Sequence, residues 1–425
     1  IKVIVTPEHT DWTYKLNEPV NLDVFKKNVT VPALKVPTKE LGKIMANLKP
    51  ILMAKKGKKN VYPDPENPNS QDFKVVGLTE ELSEKELSEK IKTLLPNANY
   101  PRTTIDIPFD YTDYNYFEAL KLLLPKTVTT PSGFETIGHI AHLNLKENQF
   151  PWKYLIGQVI RDKTKEITTV VNKLDKLSNE YRTPELELIS GEKNYETAVH
   201  EEKTVLHLDF EKVYWCSKLQ GERNRVLETL TNKDVICDAF CGVGPFAVRA
   251  AKEKGCKVYA SDLNPLGTEY LRKNIKVNKV TGLCEPDNKD ARLYIQEILD
   301  RAYKKDIVPI TRWFMNLPGD AVEFLDAFTA YYKTHPENLA EEKFLGGLVH
   351  VYCFLAKDTD AAMRAVLVER VQKVMPNFEE SDIDNIHTLK SVSSDKDMCC
   401  LTFRLNTRNC NPTPIDKPVK IVKTE

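Results

Sequence analysis

The run Asp238-Ala239-Phe240-Cys241-Gly242-Val243-Gly244-Pro245-Phe246 places a carboxylate just ahead of two glycines and a proline. Glycines there let the backbone approach a ligand closely, and Pro245 suits the first position of a helix. Downstream, Asp262 is placed to accept hydrogen bonds from both hydroxyls of a ribose. Two cofactor classes satisfy this pattern. One is a dinucleotide held by a GxGxxA turn, with the ribose carboxylate about 20 residues on. The other is S-adenosylmethionine, whose ammonium group suits Asp238 and whose adenine can meet the further acid Asp290.

Asn316-Leu317-Pro318 favours the second class. Enzymes that methylate ring or exocyclic nitrogens commonly present an Asn-Pro-like turn beside the donor. An Asn amide both donates and accepts, although it also forms ordinary turns. Glu222 lies in Trp215-Cys-Ser-Lys218-Leu-Gln-Gly-Glu222-Arg223-Asn-Arg225. The N1 of guanine is protonated at neutral pH, so methylating it requires a base within reach of that proton. A carboxylate in a closed site would serve; a Glu on the exposed start of a helix is the plainer alternative.

The elements that must position these residues form the most regular part of the chain. Strand-like runs end at Phe240, Leu263 and Asn316, and another spans Leu348–Phe354. Between them the spacing predicts helices over Pro245–Lys254, Pro265–Asn278, Ala291–Lys304, Asp320–Lys333 and Thr359–Met375. This alternation predicts a doubly wound α/β domain with a mostly parallel sheet. Runs near His387–Val392 and Met398–Leu405, separated by a tight polar turn, predict an antiparallel hairpin on the sheet edge. Upstream, helices are expected over Thr38–Leu48 and Thr79–Leu95, another around Phe117–Leu124, and one around Tyr154–Arg161. A single strand is expected near Ile137–Leu145. That strand would put His139 and His142 on opposite faces, unable to share a metal. The run Lys55-Lys56-Gly57-Lys58-Lys59 reads as a solvated loop or an RNA contact.

The chain of 425 residues has 61 Lys and Arg against 61 Asp and Glu, so its formal charge is zero. A nucleic-acid partner then requires local positive charge, for which Lys153, Arg161, Lys163, Lys165, Lys173 and Arg182 are the candidates. No apolar run reaches the roughly 20 residues of a membrane helix, so no membrane association is expected. The nine cysteines lie at or beyond Cys216 with no CxxC pair, which suits buried thiols in a reducing compartment and predicts no metal.

As a set the motifs resemble the archaeal and eukaryotic tRNA (guanine-37-N1)-methyltransferases. The resemblance rests on Phe210-Glu-Lys-Val-Tyr-Trp215 with Leu219-x-x-Glu222, on the glycine loop, on Asp262-Leu-Asn-Pro265, and on Asn316-Leu-Pro-x-x-Ala321-x-Glu-Phe-Leu325. Gly133-Phe134-Glu135 through Leu145 and Tyr181-Arg182 extend it upstream, over roughly residues 105 to 405. It implies a class I, Rossmann-like methyltransferase domain (191–425), preceded by a small α+β domain (101–190) and an N-terminal tRNA-contacting module (1–100). It implies that Glu222 is the general base, that Arg182 stabilises the target guanine, and that Asn316 orients it. S-adenosylmethionine contacts fall on Arg223, Asp262, Leu263, Asp290, Ala291 and Asn316, beside Asp238, Gly242 and Gly244 of the loop. Lys218 stands where the family has Arg, and Ala291 where it has Gly.

The activity implied is methyl transfer to N1 of guanine 37, 3′ of the anticodon. Aminocarboxypropyl transfer to a tRNA base in wybutosine synthesis, a non-catalytic RNA-binding adaptor and a nicotinamide-dependent oxidoreductase are the alternatives. The expected state is a monomer. The expected compartment is the cytoplasm, with the nucleus and mitochondrial matrix as further locations.

Overall fold

A computed structural model describes residues 19–54, 57–96, 99–174 and 180–415. Lys55 and Lys56 of the basic run lie outside the described residues, while Lys58 pairs with Asp113 at 2.8 Å. The chain divides into two compact units, one of residues 1–134, 145–172 and 188–192 and the other of 135–144, 173–187 and 193–425.

In the first unit a four-stranded antiparallel sheet forms in the order β2-β3-β1-β4, from β1 (Lys27–Pro37), β2 (Val61–Pro63), β3 (Phe73–Gly77) and β4 (Arg102–Phe109). The period of two in β1 separates Val31 and Ala33 from Leu34 and Val36, and each pair anchors its own core. Helices α1 (Leu41–Leu48) and α2 (Glu84–Leu94) cover the second face with Ile44, Leu48 and Leu87. The expected start of α2 at Thr79 is overturned. Ser83 caps the helix and Glu86 returns the bond to its backbone, so α2 begins at Glu84. Helices α3 (Tyr116–Leu123) and α4 (Lys153–Lys163) also belong to this unit and pack against each other.

The second unit opens on a hairpin where one strand was expected. Here β5 (Glu135–Ile137) and β6 (Ile140–Leu143) pair antiparallel. Gly138 turns the chain at φ 55°, and a Cβ there would fall 1.9 Å from Thr197 Oγ1. His139 therefore sits in the turn rather than on a strand. Among the described residues no cluster of His, Cys, Asp or Glu can hold a metal ion. Strands β7 (Thr169–Leu174) and β8 (Glu185–Gly191) come next along the chain and each has residues in both units; the second unit goes on with a hairpin of β9 (Glu196–Glu201) and β10 (Thr204–Asp209).

The main sheet has seven strands in the order β13-β12-β11-β14-β15-β17-β16. Strands β11 (Val235–Asp238), β12 (Lys257–Ser261), β13 (Cys284–Asp287), β14 (Arg312–Met315) and β15 (Gly347–Ala356) run parallel. The hairpin β16 (Ile383–Ser391) and β17 (Lys396–Leu405) closes one edge antiparallel, as expected. Its helices are α5 (Gln220–Glu228), α6 (Ala247–Arg249, continued by a π turn over Ala250–Lys254), α7 (Pro265–Val277), α8 (Ala291–Tyr303), α9 (Asp326–Thr334) and α10 (Asp360–Gln372). The helix expected over Asp320–Lys333 is broken. Asp320 and Ala321 both donate to the Leu317 carbonyl, a tight turn that delays α9 to Asp326.

Candidate active site

Ligands of open α/β sheets bind at the carboxyl ends of the strands. Asp238 ends β11, Asp262 follows β12 directly, and Asn316 follows β14. The loop after β11 is drawn onto β12: Gly242 N–H donates to Asp262 Oδ2 at 2.7 Å, while Asn264 N–H holds Oδ1 at 2.9 Å. Gly242 adopts φ 54°, and a Cβ built on it would meet nothing within 4 Å, so open space lies against the loop. Gly244 has the opposite reason for being glycine. At φ 93°, its Cβ would stand 2.6 Å from Leu271 and 2.8 Å from Val248.

Two buried acceptors at these strand ends have no partner among the described residues: Asp238 Oδ1 and Asn316 Oδ1. Buried polar atoms are ordinarily bonded, so both call for donors from outside the chain. Burial raises the Asp238 carboxyl to about 8, a shift that the Phe240 N–H opposes and the neighbouring Asp262 assists. Burial likewise raises Asp262, against the two amides that hold it. A cationic amine near Asp238 would remove the cost of ionising it. These features fit a ligand with an ammonium group and a ribose.

Other expected cofactor residues are placed less directly. Asp290 is the N-cap of α8, with Oδ1 accepting from Arg292 N at 2.9 Å. Ala291 is buried in the core at the start of that helix. Leu263 is exposed beside Asp262. The Arg223 guanidinium pairs with buried Glu201, which Arg249 also contacts at 3.4 Å, and lies over the Trp215 ring.

Glu222 occupies the first turn of α5 and is not the exposed helix-start residue of the plainer alternative, since its side chain is 3% exposed. Arg225 grips it bidentately, Nε to Oε2 at 2.7 Å and Nη2 to Oε1 at 2.6 Å. The fully buried Tyr352 hydroxyl donates to Oε1 at 2.9 Å, and His387 Nε2 stands 3.6 Å from Oε2. Tyr352 lies one residue past the pairing of Met315 with Val351, at the level of Asn316, so β14 and β15 carry the turn and the acid's partner side by side.

Arg182 reaches the turn that follows β14. Its Nη2 meets Asp320 Oδ2 at 2.5 Å, and its backbone takes the left-handed φ of 53°. The structure thus gathers Arg182 with Asn316-Leu317-Pro318-Gly319-Asp320, and Glu222 with Tyr352. Reading the sequence missed Arg225, Tyr352, His387, Gly319 and Asp320. Only Arg225 carried a local signal, standing three residues from Glu222 on the same helix face.

Residues 197–375 match the TRM5/TYW2 methyltransferase domain family, and residues 117–194 a TYW2 N-terminal domain. Structural similarity agrees on the fold. The crystal structure of Trm5b from Pyrococcus abyssi covers 88% of this chain and 99% of its own at TM-score 0.59 and 24% identity. A complex of aTrm5 with tRNALeu covers 88% and 100% at TM-score 0.62 and 22% identity. A tRNA (guanine(37)-N(1))-methyltransferase of Phytophthora infestans is 36% identical over 90% of this chain and 91% of its own length. That of Paramecium tetraurelia is 40% identical over 77% and 76%, and the human one 35% over 90% and 74%. Identity at this level over most of both chains makes this chain a member of the tRNA (guanine(37)-N(1))-methyltransferase family.

Proposed function

We propose that the chain transfers a methyl group from S-adenosylmethionine to N1 of guanine 37 in tRNA, with Glu222 as general base. Family membership supports the reaction, and the buried Glu222 carboxylate, bonded to the Tyr352 hydroxyl from the strand position level with Asn316, is the observation that carries the mechanism. Asp262 would hold the ribose hydroxyls, Asp238 the ammonium, and Leu263 and Asp290 the adenine end, with Gly242 leaving room for the donor. Bound there, S-adenosylmethionine supplies an electrophilic methyl group on sulfur.

The chain's own residues must then manage a proton and a charge. Removing the N1 proton leaves negative charge on the guanine ring, chiefly towards O6, where a cation stabilises it. Arg182 is suited to that task, while Asn316, with a free acceptor, is suited to hold the base edge. Both Glu222 oxygens accept from Arg225 or Tyr352, so guanine N1–H must share or displace one of these donors. The guanine is expected to be turned out of its stack to reach them.

The division into modules 1–100, 101–190 and 191–425 stays part of this proposal, with the first contacting tRNA, and so does a monomeric enzyme. Nine free thiols suit a reducing compartment such as the cytoplasm. Of the candidate basic residues, Lys163 is turned onto the Tyr111 ring and carbonyl, whereas Lys165 is exposed and free to meet phosphate.

The test is Glu222→Gln, which keeps shape and removes the base. Single-turnover methylation of a tRNA transcript should fall about 10²–10⁴-fold with cofactor and tRNA affinity little changed. A normal rate would exclude Glu222 as the base. Nucleoside mass analysis should give 1-methylguanosine; an aminocarboxypropyl adduct would replace the reaction with its wybutosine alternative.

A further inference from the structure

Methylation of guanine N1 forms an N–C bond, breaks the donor's S–C bond and sets free one proton per turnover. If Glu222 takes that proton, it must pass it on before the next turnover, and its side chain is only 3% exposed. The groups around it differ sharply in whether they can help. Arg225 is a guanidinium whose hold on protons the Glu222 pairing strengthens further, so it cannot cycle. Tyr352 is fully buried, and that burial holds its hydroxyl well above the usual range. Cys400, the register partner of His387 on β17, is a buried thiol pushed up to about 12 by burial, with Glu222 adding to the shift. His387 is different. Its Nε2 stands 3.6 Å from Glu222 Oε2, its side chain is 40% exposed, and it lies on the outermost strand β16. An imidazole can accept a proton on one ring nitrogen and release one from the other.

We propose that His387 is the proton exit of this site. It relays to solvent the proton that Glu222 takes from guanine, and it acts through Glu222 without touching the substrate. A movement of roughly half an ångström brings Nε2 into hydrogen-bond range of Oε2. The ring takes the proton on Nε2 and Nδ1 gives one to water or buffer, which restores the carboxylate; exchange of the ring protons with solvent then frees Nε2 for the next turnover. What makes this possible is the 40% exposure of the His387 side chain, on a strand that is outermost among the described residues.

The proposal rests on Glu222 being the base, and the experiment separates the two. Enzyme and S-adenosylmethionine are mixed with tRNA transcript in weak buffer containing a pH indicator, and methyl transfer and proton release are followed together. In the unaltered enzyme the two should rise in step. In His387→Gln, proton release should lag behind methylation by about tenfold or more, and steady-state turnover should fall. Added imidazole should shorten the lag and restore turnover, which repair of a merely structural defect would not do. Proton release in step with methylation in His387→Gln overturns the relay alone, as does a lag that imidazole leaves unchanged. Normal methylation by Glu222→Gln overturns instead the reading beneath it.

Discussion

The Arg182 guanidinium packs so closely on Gly319 that a Cβ there would lie 2.7 Å from Nη2, 2.8 Å from Nη1 and 3.2 Å from Cζ. Asp320, the next residue, anchors the same group at 2.5 Å. The turn after β14 thus sets the position of the cation as well as that of Asn316. The left-handed φ of Arg182 belongs to the same arrangement, since a strained backbone persists where its surroundings hold it.

Gly319→Ala should therefore move Arg182. The backbone of Gly319 lies outside the positive-φ region, so the methyl group costs little except by pushing the guanidinium away. Single-turnover methylation should drop by about 10–10²-fold, as when a charge-stabilising donor is misplaced. Affinity for S-adenosylmethionine, measured by calorimetry, should hold. An unchanged rate would mean that Arg182 does its work elsewhere or does none.

Asp262→Ala tests the ribose site. The carboxylate orders the loop through Gly242 N–H and Asn264 N–H, and it should also accept from the ribose. Losing charge-assisted bonds to the hydroxyls should weaken cofactor binding by roughly 2–4 kcal/mol. Chemistry at saturating cofactor should change less. Calorimetry showing equal affinity for both proteins would remove Asp262 from the site.

What could be read in advance divides along the physical origin of each feature. Six of the seven strands and most helices of the main sheet were legible because their apolar runs, glycines and caps are local, whereas the short polar β13 was not. The placement of Asp238, Gly242 and Asp262 at adjoining strand ends was legible for the same reason. The sheet β2-β3-β1-β4 was not foreseen, because β1 pairs with β4 across a long intervening stretch that holds two helices. The break at Asp320 escaped because an apolar helical period continues through a turn made by two bonds to one carbonyl. Tyr352 and His387 reach Glu222 from strands far along the chain, and no spacing in the sequence announces them.

The Asp238 carboxyl predicts a pH dependence of stability. Burial raises it to about 8 in the folded chain, while in the unfolded chain it titrates near the ordinary aspartate value of 3.8. Between those values the unfolded state has lost a proton that the folded state keeps, so this group's contribution favours folding at low pH and is lost as pH rises towards 8. Asp238→Asn removes the dependence. Without cofactor, the variant should gain on the unaltered protein with rising pH, by up to about 1.4 kcal/mol per pH unit between pH 5 and 7.5. Urea midpoints across that window would show it. Parallel curves would mean that Asp238 is already ionised in the folded protein.

Glu201 decides what Arg223 is for. Family resemblance gives Arg223 a cofactor contact, yet its guanidinium is buried on Glu201, and Arg249 shares that carboxylate while also pairing with Glu253 at 2.7 Å. Removing one partner of a buried ion pair leaves an uncompensated charge, whereas the intact pair contributes little net stability. Glu201→Gln should therefore destabilise the fold by about 3–5 kcal/mol, and more than Arg249→Met, which leaves Glu201 its bidentate partner. Arg223→Met should likewise lower the urea midpoint. If the pairing of α5 with β9 is the whole of its task, then at temperatures where that variant stays folded its S-adenosylmethionine affinity should match the unaltered protein's. A folded Arg223→Met that binds the cofactor poorly would return Arg223 to the binding site and leave Glu201 as the residue that orients it.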